Sequence, residues 1–184
     1  MPEHVCPWWV GYLLASPVRR LLFSPEKILA PYVSEGMTVL EPGPGMGYFT
    51  LPLARMVGAS GRVIALDIQP KMLNVLRRRA AKADLLHVMD IRLVQADTMG
   101  LSDSAGTVDF ALAFAVVHEM PSAAMFFREA SEALKTDAFL LLVEPAGRVN
   151  DAQFAAELSL AAQAGLKLEG RPFIRRSHAA LLRK

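Results

Sequence analysis

Short apolar runs alternate with helix-like segments along the chain from residue 37 onward. Each run alternates only weakly between apolar and polar residues, which is typical of parallel strands buried on both faces of a sheet. The predicted strands are Met37–Glu41, Arg62–Asp67, Ile91–Gln95, Val108–Phe114 and Ala138–Glu144. The predicted helices are Lys71–Ala83, Ala123–Leu134 and one from Asn150 through Ala164. This order predicts right-handed βαβ units in a doubly wound α/β sheet.

The last two apolar runs, Leu166–Phe173 and Ser177–Arg183, leave no room for a helix between them. A parallel crossover needs a dozen residues or more, so we expect an antiparallel hairpin at the sheet edge. Residues 1–36 are interrupted by prolines and are interpreted as an extension of short helices, with Ser24-Pro25-Glu26 as one helix start. The predicted organisation is an N-terminal helical extension or lid over residues 1–36 and a single domain over residues 37–184.

Composition narrows the class of protein. The 184 residues fit one domain, and a lone cysteine, Cys6, excludes an internal disulfide and a multi-cysteine zinc site. Mean hydropathy is +0.29, but the longest apolar run, Val5–Ala15, has eleven residues, whereas a membrane span needs about 20. No basic segment precedes that run, so no signal peptide is predicted. We expect a cytoplasmic protein without a bound metal.

The net charge of +2 does not by itself imply a polyanionic partner. Basic residues concentrate in positions 167–184, where Glu169 is the only acid. They are Lys167, Arg171, Arg175, Arg176, Arg183 and Lys184. A solvated basic edge is the simpler interpretation, and docking of a nucleic acid is the alternative.

A glycine-rich loop follows the first predicted strand, in the run E-P-G-P-G-M-G from Glu41 to Gly47. Glycines let the backbone turn sharply and approach a ligand, and the helix start beyond them offers free N–H groups. A dinucleotide fingerprint would place glycine at position 48, where Tyr48 stands. Asp67 ends the second strand, where a carboxylate can bind ribose hydroxyls, and Asp97 follows the third, where one can bind an adenine amine. The pattern favours a nucleoside-containing ligand over an empty turn.

These residues resemble the class I S-adenosylmethionine-dependent methyltransferases, from about Pro25 to the C-terminus. The resemblance implies a Rossmann-like three-layer sandwich with a seven-stranded sheet of order 3-2-1-4-5-7-6 and an antiparallel strand 7. It also implies S-adenosylmethionine as cofactor and S-adenosylhomocysteine as product. The residues implied to bind the cofactor are Glu41, Gly43, Pro44, Gly45, Gly47, Asp67, Ile68, Asp97, Thr98 and Ala115. The stretch from Asp109 to Glu119 is most similar to the ubiquinone and menaquinone biosynthesis branch.

The acceptor pocket is expected at the carboxyl ends of the strands, where open α/β sheets bind ligands. His118 and Glu119 are candidate general bases, because an imidazole titrates near neutrality. Tyr48, His118 and Glu144 are expected to line the pocket, together with the N-terminal residues Trp8, Trp9 and Tyr12. Those N-terminal aromatics fit three interpretations: a pocket lid, contact with a membrane surface, or packing on the sheet.

The predicted function is methyl transfer to a small, apolar or aromatic acceptor by a monomer or homodimer. Two alternatives stay open. One is an RNA or protein methyltransferase that docks its substrate on the basic C-terminal edge. The other is a non-catalytic protein that binds the cofactor and acts as a partner, because a fold alone does not establish catalysis.

Overall fold

The computed structural model describes residues 23–184, in which strands and helices alternate. The strands are β1 (Thr38–Pro42), β2 (Arg62–Asp67), β3 (Met89–Leu93), β4 (Val108–Phe114), β5 (Leu134–Pro145), β6 (Lys167–Gly170) and β7 (Ser177–Arg183). The helices are α1 (Pro25–Leu29), α2 (Thr50–Val57), α3 (Pro70–Lys82), α4 (Ala123–Ala133) and α5 (Asp151–Gln163).

The seven strands form a sheet in the order β3-β2-β1-β4-β5-β7-β6. The pairs β1–β2, β2–β3 and β4–β5 are parallel, whereas β7 runs antiparallel to both β5 and β6. The expected Rossmann-like order and the reversed seventh strand are therefore confirmed, and the edge hairpin inferred from the short β6–β7 connection is present.

Three strands differ from the sequence prediction by two or more residues at one or both ends. β6 ends at Gly170, whereas the predicted run continued to Phe173. β3 begins and ends two residues earlier than Ile91–Gln95, so Asp97 lies in a turn beyond the strand, next to a bridge between Gln95 and Thr98. β5 starts at Leu134, directly after α4. The three residues after Leu134, numbered 135–137, are polar and exposed. The Lys135 ammonium lies 2.5 Å from the Asp109 carboxylate of β4. Charged pairing across the strands therefore extends β5 beyond its apolar part.

Helix starts follow their capping residues closely. The Ser122 hydroxyl accepts a hydrogen bond from the Met125 N–H at 3.2 Å at the start of α4. Asn150 and Gln153 form a reciprocal capping box on α5, with both bonds at 2.9 Å. At α1 the start is where it was predicted, but the Ser24 hydroxyl donates to the Glu26 carboxylate and makes no capping bond to the backbone.

The chain divides into two compact units, with the boundary between Val94 and Gln95. In the first, Leu73 and Leu76 of α3 pack on Ala65 of β2 as part of a fully buried cluster. In the second, Phe110 of β4 and Phe127 of α4 are among the largest buried side chains. Within residues 23–184, no helix combines the length and apolar character that crossing a bilayer requires.

Candidate functional site

The glycine loop after β1 has a left-handed backbone at each of its three glycines. The φ angles are 68° at Gly43, 54° at Gly45 and 87° at Gly47. A Cβ atom at Gly47 would lie 2.5 Å from the Leu76 side chain, so packing against α3 requires glycine there. A Cβ atom at Gly45 would meet nothing within 4 Å. Gly47 therefore fixes the loop on the first unit, whereas the space over Gly45 is open to a ligand.

Glu41 lies one residue before the end of β1, the strand that leads into this loop, and is only 4% exposed. Its Oε2 atom and the Thr50 hydroxyl oxygen lack hydrogen-bond partners among the described residues. Burial raises the pKa of Glu41 to about 8; the Thr50 hydroxyl, which lies near the carboxyl without hydrogen-bonding geometry, lowers it, and the charge of Asp67 raises it. A buried carboxyl with an unpartnered oxygen is costly for the free protein, and a bound cation would relieve that cost.

Arg79 of α3 holds the glycine loop from the helix side. Its guanidinium donates a hydrogen bond to the Met46 carbonyl oxygen, and partial burial lowers its pKa. Arg79 lies in a run of three arginines, from Arg77 to Arg79, and such a run on a predicted helix indicates a solvent-facing surface. Arg77 and Arg78 are exposed, as this interpretation requires. For Arg79 the prediction is wrong, because its side chain is half-buried and contacts the glycine loop.

Asp67 ends β2 with a carboxylate that is 9% exposed. Its Oδ1 atom accepts a hydrogen bond from the Gln69 N–H at 2.8 Å, just before α3 begins. Ile68, the following residue, is half-buried. The first unit thus carries Glu41, the glycine loop and Asp67, which are most of the residues predicted to contact a nucleoside ligand.

The second unit carries the turn after β3. Asp97 and Thr98 are exposed, and the Thr98 hydroxyl accepts from the Gly100 N–H at 3.0 Å. The Met99 N–H donates to the Glu129 carboxylate of α4 at 2.7 Å. Sequence reasoning missed Glu129, because nothing in a helical pattern indicates that one acid of the helix will contact a turn 30 residues away.

The chain bends sharply where β4 ends. Ala115 has a φ angle of 55°, a left-handed conformation that costs a non-glycine residue roughly 1–2 kcal/mol. Its N–H donates to the Val143 carbonyl oxygen of β5 at 2.7 Å, which holds the bend. A single 3-10 turn, Val117–Glu119, follows directly. The bend places this turn beside the end of β5.

His118 and the buried Glu144 form a hydrogen-bonded pair at that position. Glu144 is fully buried, and its two oxygens have separate partners: Oε1 accepts from the Val117 N–H at 2.8 Å, and Oε2 bonds to His118 Nδ1. The bond to Glu144 is the largest cause of a raised pKa at His118, and burial opposes it. Both residues were predicted for this pocket, and the structure brings them into direct contact.

Other charged groups surround the pair. Glu119 Oε1 lies 3.9 Å from His118 Nε2, beyond hydrogen-bonding distance. Glu157 of α5 is 8% exposed, its Oε2 has no partner within the described chain, and burial together with Glu144 raises its pKa to about 7. His178, opposite Glu144 on β7, stacks on Phe154 with ring centroids 5.3 Å apart.

The remaining predicted pocket residues fall into two groups. The Tyr48 hydroxyl donates to the Phe23 carbonyl oxygen at 2.5 Å, so this end of the ring contacts the start of the described chain. Trp8, Trp9 and Tyr12 lie outside the described residues. Among residues 23–184, no group of three or more histidine, cysteine or acidic side chains is arranged to hold a metal ion.

The basic C-terminal edge separates into two parts. Arg183 pairs with Glu169 at 3.5 Å, and the Lys184 ammonium donates to the Leu134 carbonyl oxygen at 2.7 Å. Arg171, Arg175 and Arg176 are exposed in the β6–β7 loop, which also holds Phe173, 94% exposed. The positive surface is therefore smaller than the sequence suggests and is concentrated in one loop.

The chain is similar to known proteins in both sequence and fold. The model of a family described as "Methyltransferase domain" matches residues 39–137. A ubiquinone biosynthesis O-methyltransferase of Methylocella silvestris is 36% identical over 124 residues, covering 66% of this chain and 46% of the relative. A ubiquinone/menaquinone biosynthesis C-methyltransferase of Idiomarina loihiensis is 30% identical over 128 residues, covering 69% and 46%. The chain spans about half the length of these curated relatives.

Two solved structures show the fold. A SAM-dependent methyltransferase from Aquifex aeolicus superposes with a TM-score of 0.85 at 26% identity, covering 97% of this chain and 99% of that one. Fibrillarin from Aeropyrum pernix, solved with natively bound S-adenosyl-L-methionine, superposes with a TM-score of 0.65 at 18% identity, covering 96% and 76%.

Proposed function

This chain belongs to the class I S-adenosylmethionine-dependent methyltransferases, and from that premise we propose that it transfers a methyl group to a small apolar or aromatic molecule. The observation that carries the proposal is the glycine loop with its buried, partly unpartnered Glu41. The quinone-biosynthesis relatives support a small aromatic acceptor.

The residues of the first unit fit the methyl donor. S-adenosylmethionine carries an α-ammonium group and a sulfonium, and Glu41 offers an unpartnered carboxyl oxygen beside an open glycine loop. In the proposal the loop from Gly43 to Gly47 approaches the amino-acid part. Asp67 and Ile68 hold the ribose, and the turn of Asp97 and Thr98, with Ala115 beyond β4, contacts the adenine side. When bound, the cofactor supplies an electrophilic methyl group on sulfur.

The protein's own contribution is alignment and exclusion of water. Holding two reactants in line supplies up to roughly 7–11 kcal/mol of the barrier reduction. We assign the acceptor to the second unit, where His118, Glu119 and Glu144 gather at the ends of β4 and β5. Tyr48 and the segment containing Trp8, Trp9 and Tyr12 are proposed to complete an apolar wall, as part of an extension over residues 1–36.

Calorimetry with S-adenosylhomocysteine tests the proposal. Asp67→Ala should weaken binding by about 10- to 100-fold, because hydrogen bonds to a charged group contribute about 1.5–3 kcal/mol. Glu35→Ala, which removes an exposed carboxylate from the same unit, is the matched control and should bind like the wild type. Absence of binding at millimolar ligand would overturn the proposal.

A nucleic acid acceptor is the second candidate, favoured by Arg171, Arg175 and Arg176 around the exposed Phe173. It requires RNA retention that falls steeply with salt, since each neutralised phosphate releases counterions. Replacing the three arginines with glutamine should abolish that retention. Salt-independent or absent binding would leave the small-molecule acceptor.

A non-catalytic role for the same fold is tested by incubating the full chain with labelled methyl donor and a metabolite extract. A labelled product that depends on the protein excludes a purely structural partner. Size-exclusion chromatography with light scattering decides between monomer and homodimer.

A further inference from the structure

Glu144, His118 and Val117 form one hydrogen-bonded group at the ends of β4 and β5. Glu144 has no exposed surface, yet it sits where ligands bind in open sheets. Burying a carboxylate is costly unless its oxygens are satisfied, and here both are. A fully buried carboxyl group that hydrogen-bonds to one histidine restricts the orientation of that histidine ring.

The direction of the bond between Glu144 and His118 follows from the charge of Glu144. An ionised carboxylate can only accept, so with Glu144 ionised its Oε2 accepts from Nδ1–H of His118. In the neutral imidazole the lone pair therefore resides on Nε2. His118 is 16% exposed, so its ring can meet a ligand.

We propose that Glu144 is a positioning residue that orients His118 as a general base, and that the methyl acceptor presents a phenol-type hydroxyl. This inference rests on the proposed methyl transfer. Neutral amines and thioethers attack through a lone pair without first losing a proton, whereas a phenol-type hydroxyl gives up its proton as its oxygen attacks, so an oriented base favours a hydroxyl acceptor.

In the proposed reaction the hydroxyl oxygen loses its bond to hydrogen and gains a bond to the methyl carbon. The acceptor O–H gives its proton to His118 Nε2, and an oxygen electron pair forms the new bond to the transferred methyl group. The bond from that methyl group to sulfur breaks with both electrons remaining on sulfur. The resulting imidazolium is stabilised by the Glu144 carboxylate and later releases its proton to water.

The charged groups that face His118 come from several elements. Glu144 lies on β5, Glu119 on the same turn, Arg148 just after β5 and Glu157 on α5. Glu144 and Glu119 raise the pKa of His118, and Arg148 and burial lower it. A raised pKa makes the neutral imidazole a stronger base toward a hydroxyl such as that of tyrosine, whose pKa is about 10.

Nuclear magnetic resonance on the full chain with nitrogen-15-labelled histidine tests the orientation without any turnover. His118→Gln assigns the His118 signals. In the wild type, the neutral ring should carry its proton on Nδ1, with an inflection above 6.5. Glu144→Gln should lower that inflection by about one pH unit or more. Glu132→Gln, an exposed acid on α4, is the control and should leave it unchanged.

The tautomer is measured on the wild type, so the test stands even if Glu144→Gln fails to fold. A proton on Nε2 in the neutral ring, or an inflection insensitive to Glu144→Gln, would overturn the positioning role. This would leave S-adenosylhomocysteine binding, and thus the proposed methyltransferase function, untouched.

The acceptor class is tested with labelled methyl donor and a metabolite extract, followed by mass spectrometry of the products. An aryl methyl ether supports the inference, and His118→Gln should lower its formation by about 10²–10⁴-fold. A labelled amine, thioether or ring carbon would overturn the hydroxyl assignment. No labelled product from any extract would instead count against the proposed function itself.

Discussion

Two buried glutamates end two strands of this sheet, and their surroundings are opposite. Glu41, at the end of β1, has an oxygen with no partner within the described chain. Glu144, near the end of β5, uses both oxygens to hold the backbone and side chain of one turn. The same residue type at equivalent ends of strands thus has one unsatisfied and one satisfied carboxyl group.

This difference in hydrogen bonding distinguishes a carboxyl group that binds a ligand from one that stabilises the protein itself. An unsatisfied buried carboxyl is tolerated where a ligand completes its hydrogen bonds, since its desolvation cost is otherwise uncompensated. A satisfied one stabilises the protein's own geometry, and its removal leaves the partners unpaired. Glu41 therefore fits a ligand contact, and Glu144 fits a structural support for His118.

Glu144→Ala should have the largest effect on stability. The loss should be roughly 2–5 kcal/mol, because the Val117 N–H and the His118 ring both lose their acceptor and each unsatisfied buried group costs about 1–3 kcal/mol. Glu41→Ala should cost less than half as much, since it breaks fewer hydrogen bonds. Urea denaturation of both variants measures the difference, and equal losses would contradict the contrast between the two glutamates.

Glu41 should instead make stability depend on pH. Its carboxyl ionises near pH 4.5 in the unfolded chain and near pH 8 in the folded one, so the folded state binds more protons between these values. Stability is then fully present below pH 4.5 and falls by about 1.4 kcal/mol per unit as pH rises toward 8. Between pH 5.5 and 7.5 this loss is about 3 kcal/mol.

Glu41→Gln should remove that dependence, because a neutral amide does not titrate. Urea denaturation across the same pH range checks it, with Glu35→Gln as an exposed control on the same unit. An unchanged pH profile in Glu41→Gln would show that another group carries the effect.

Ligand binding at Glu41 should release a proton. An ammonium group beside Glu41 favours the carboxylate, so the bound state has a lower pKa than about 8. Affinity for S-adenosylhomocysteine should therefore fall by up to tenfold per unit as pH drops below 8. Calorimetry in buffers with different ionisation enthalpies counts the released proton, and Glu41→Gln should release none.

The sequence predicted the backbone better than the side-chain contacts. Apolar runs, glycine spacing and capping residues such as Ser122 and Asn150 are local signals, and they were sufficient for the doubly wound class, the edge hairpin and most helix starts, whereas the strand order came from the family resemblance. The positions of Glu41 and Asp67 near the ends of β1 and β2 also follow from the pattern, whereas their roles toward a ligand stay predictions. The boundaries of β3, β5 and β6 differed from the prediction, because the ends of a strand depend on partners distant in sequence.

Arg79 and Glu129 were missed for the same reason. Each contacts backbone more than 25 residues away: Arg79 the Met46 carbonyl and Glu129 the Met99 N–H. A helical pattern shows which face is exposed but not which long side chain folds back. The unpartnered oxygen of Glu41 was equally invisible, because it depends on the packed surroundings of the strand end.

Arg79→Ala should have the smallest effect on ligand binding. It tests whether the glycine loop near Glu41 depends on the hydrogen bond that Arg79 of α3 donates to it. The guanidinium is partly exposed, so we expect a loss of about 1 kcal/mol in S-adenosylhomocysteine binding, roughly fivefold, as the Met46 carbonyl loses its donor. Arg78→Ala, on the exposed face of the same helix, is the matched control and should bind normally. Calorimetry measures both variants, and equal affinities would mean that Gly47 packing on Leu76 holds the loop without Arg79.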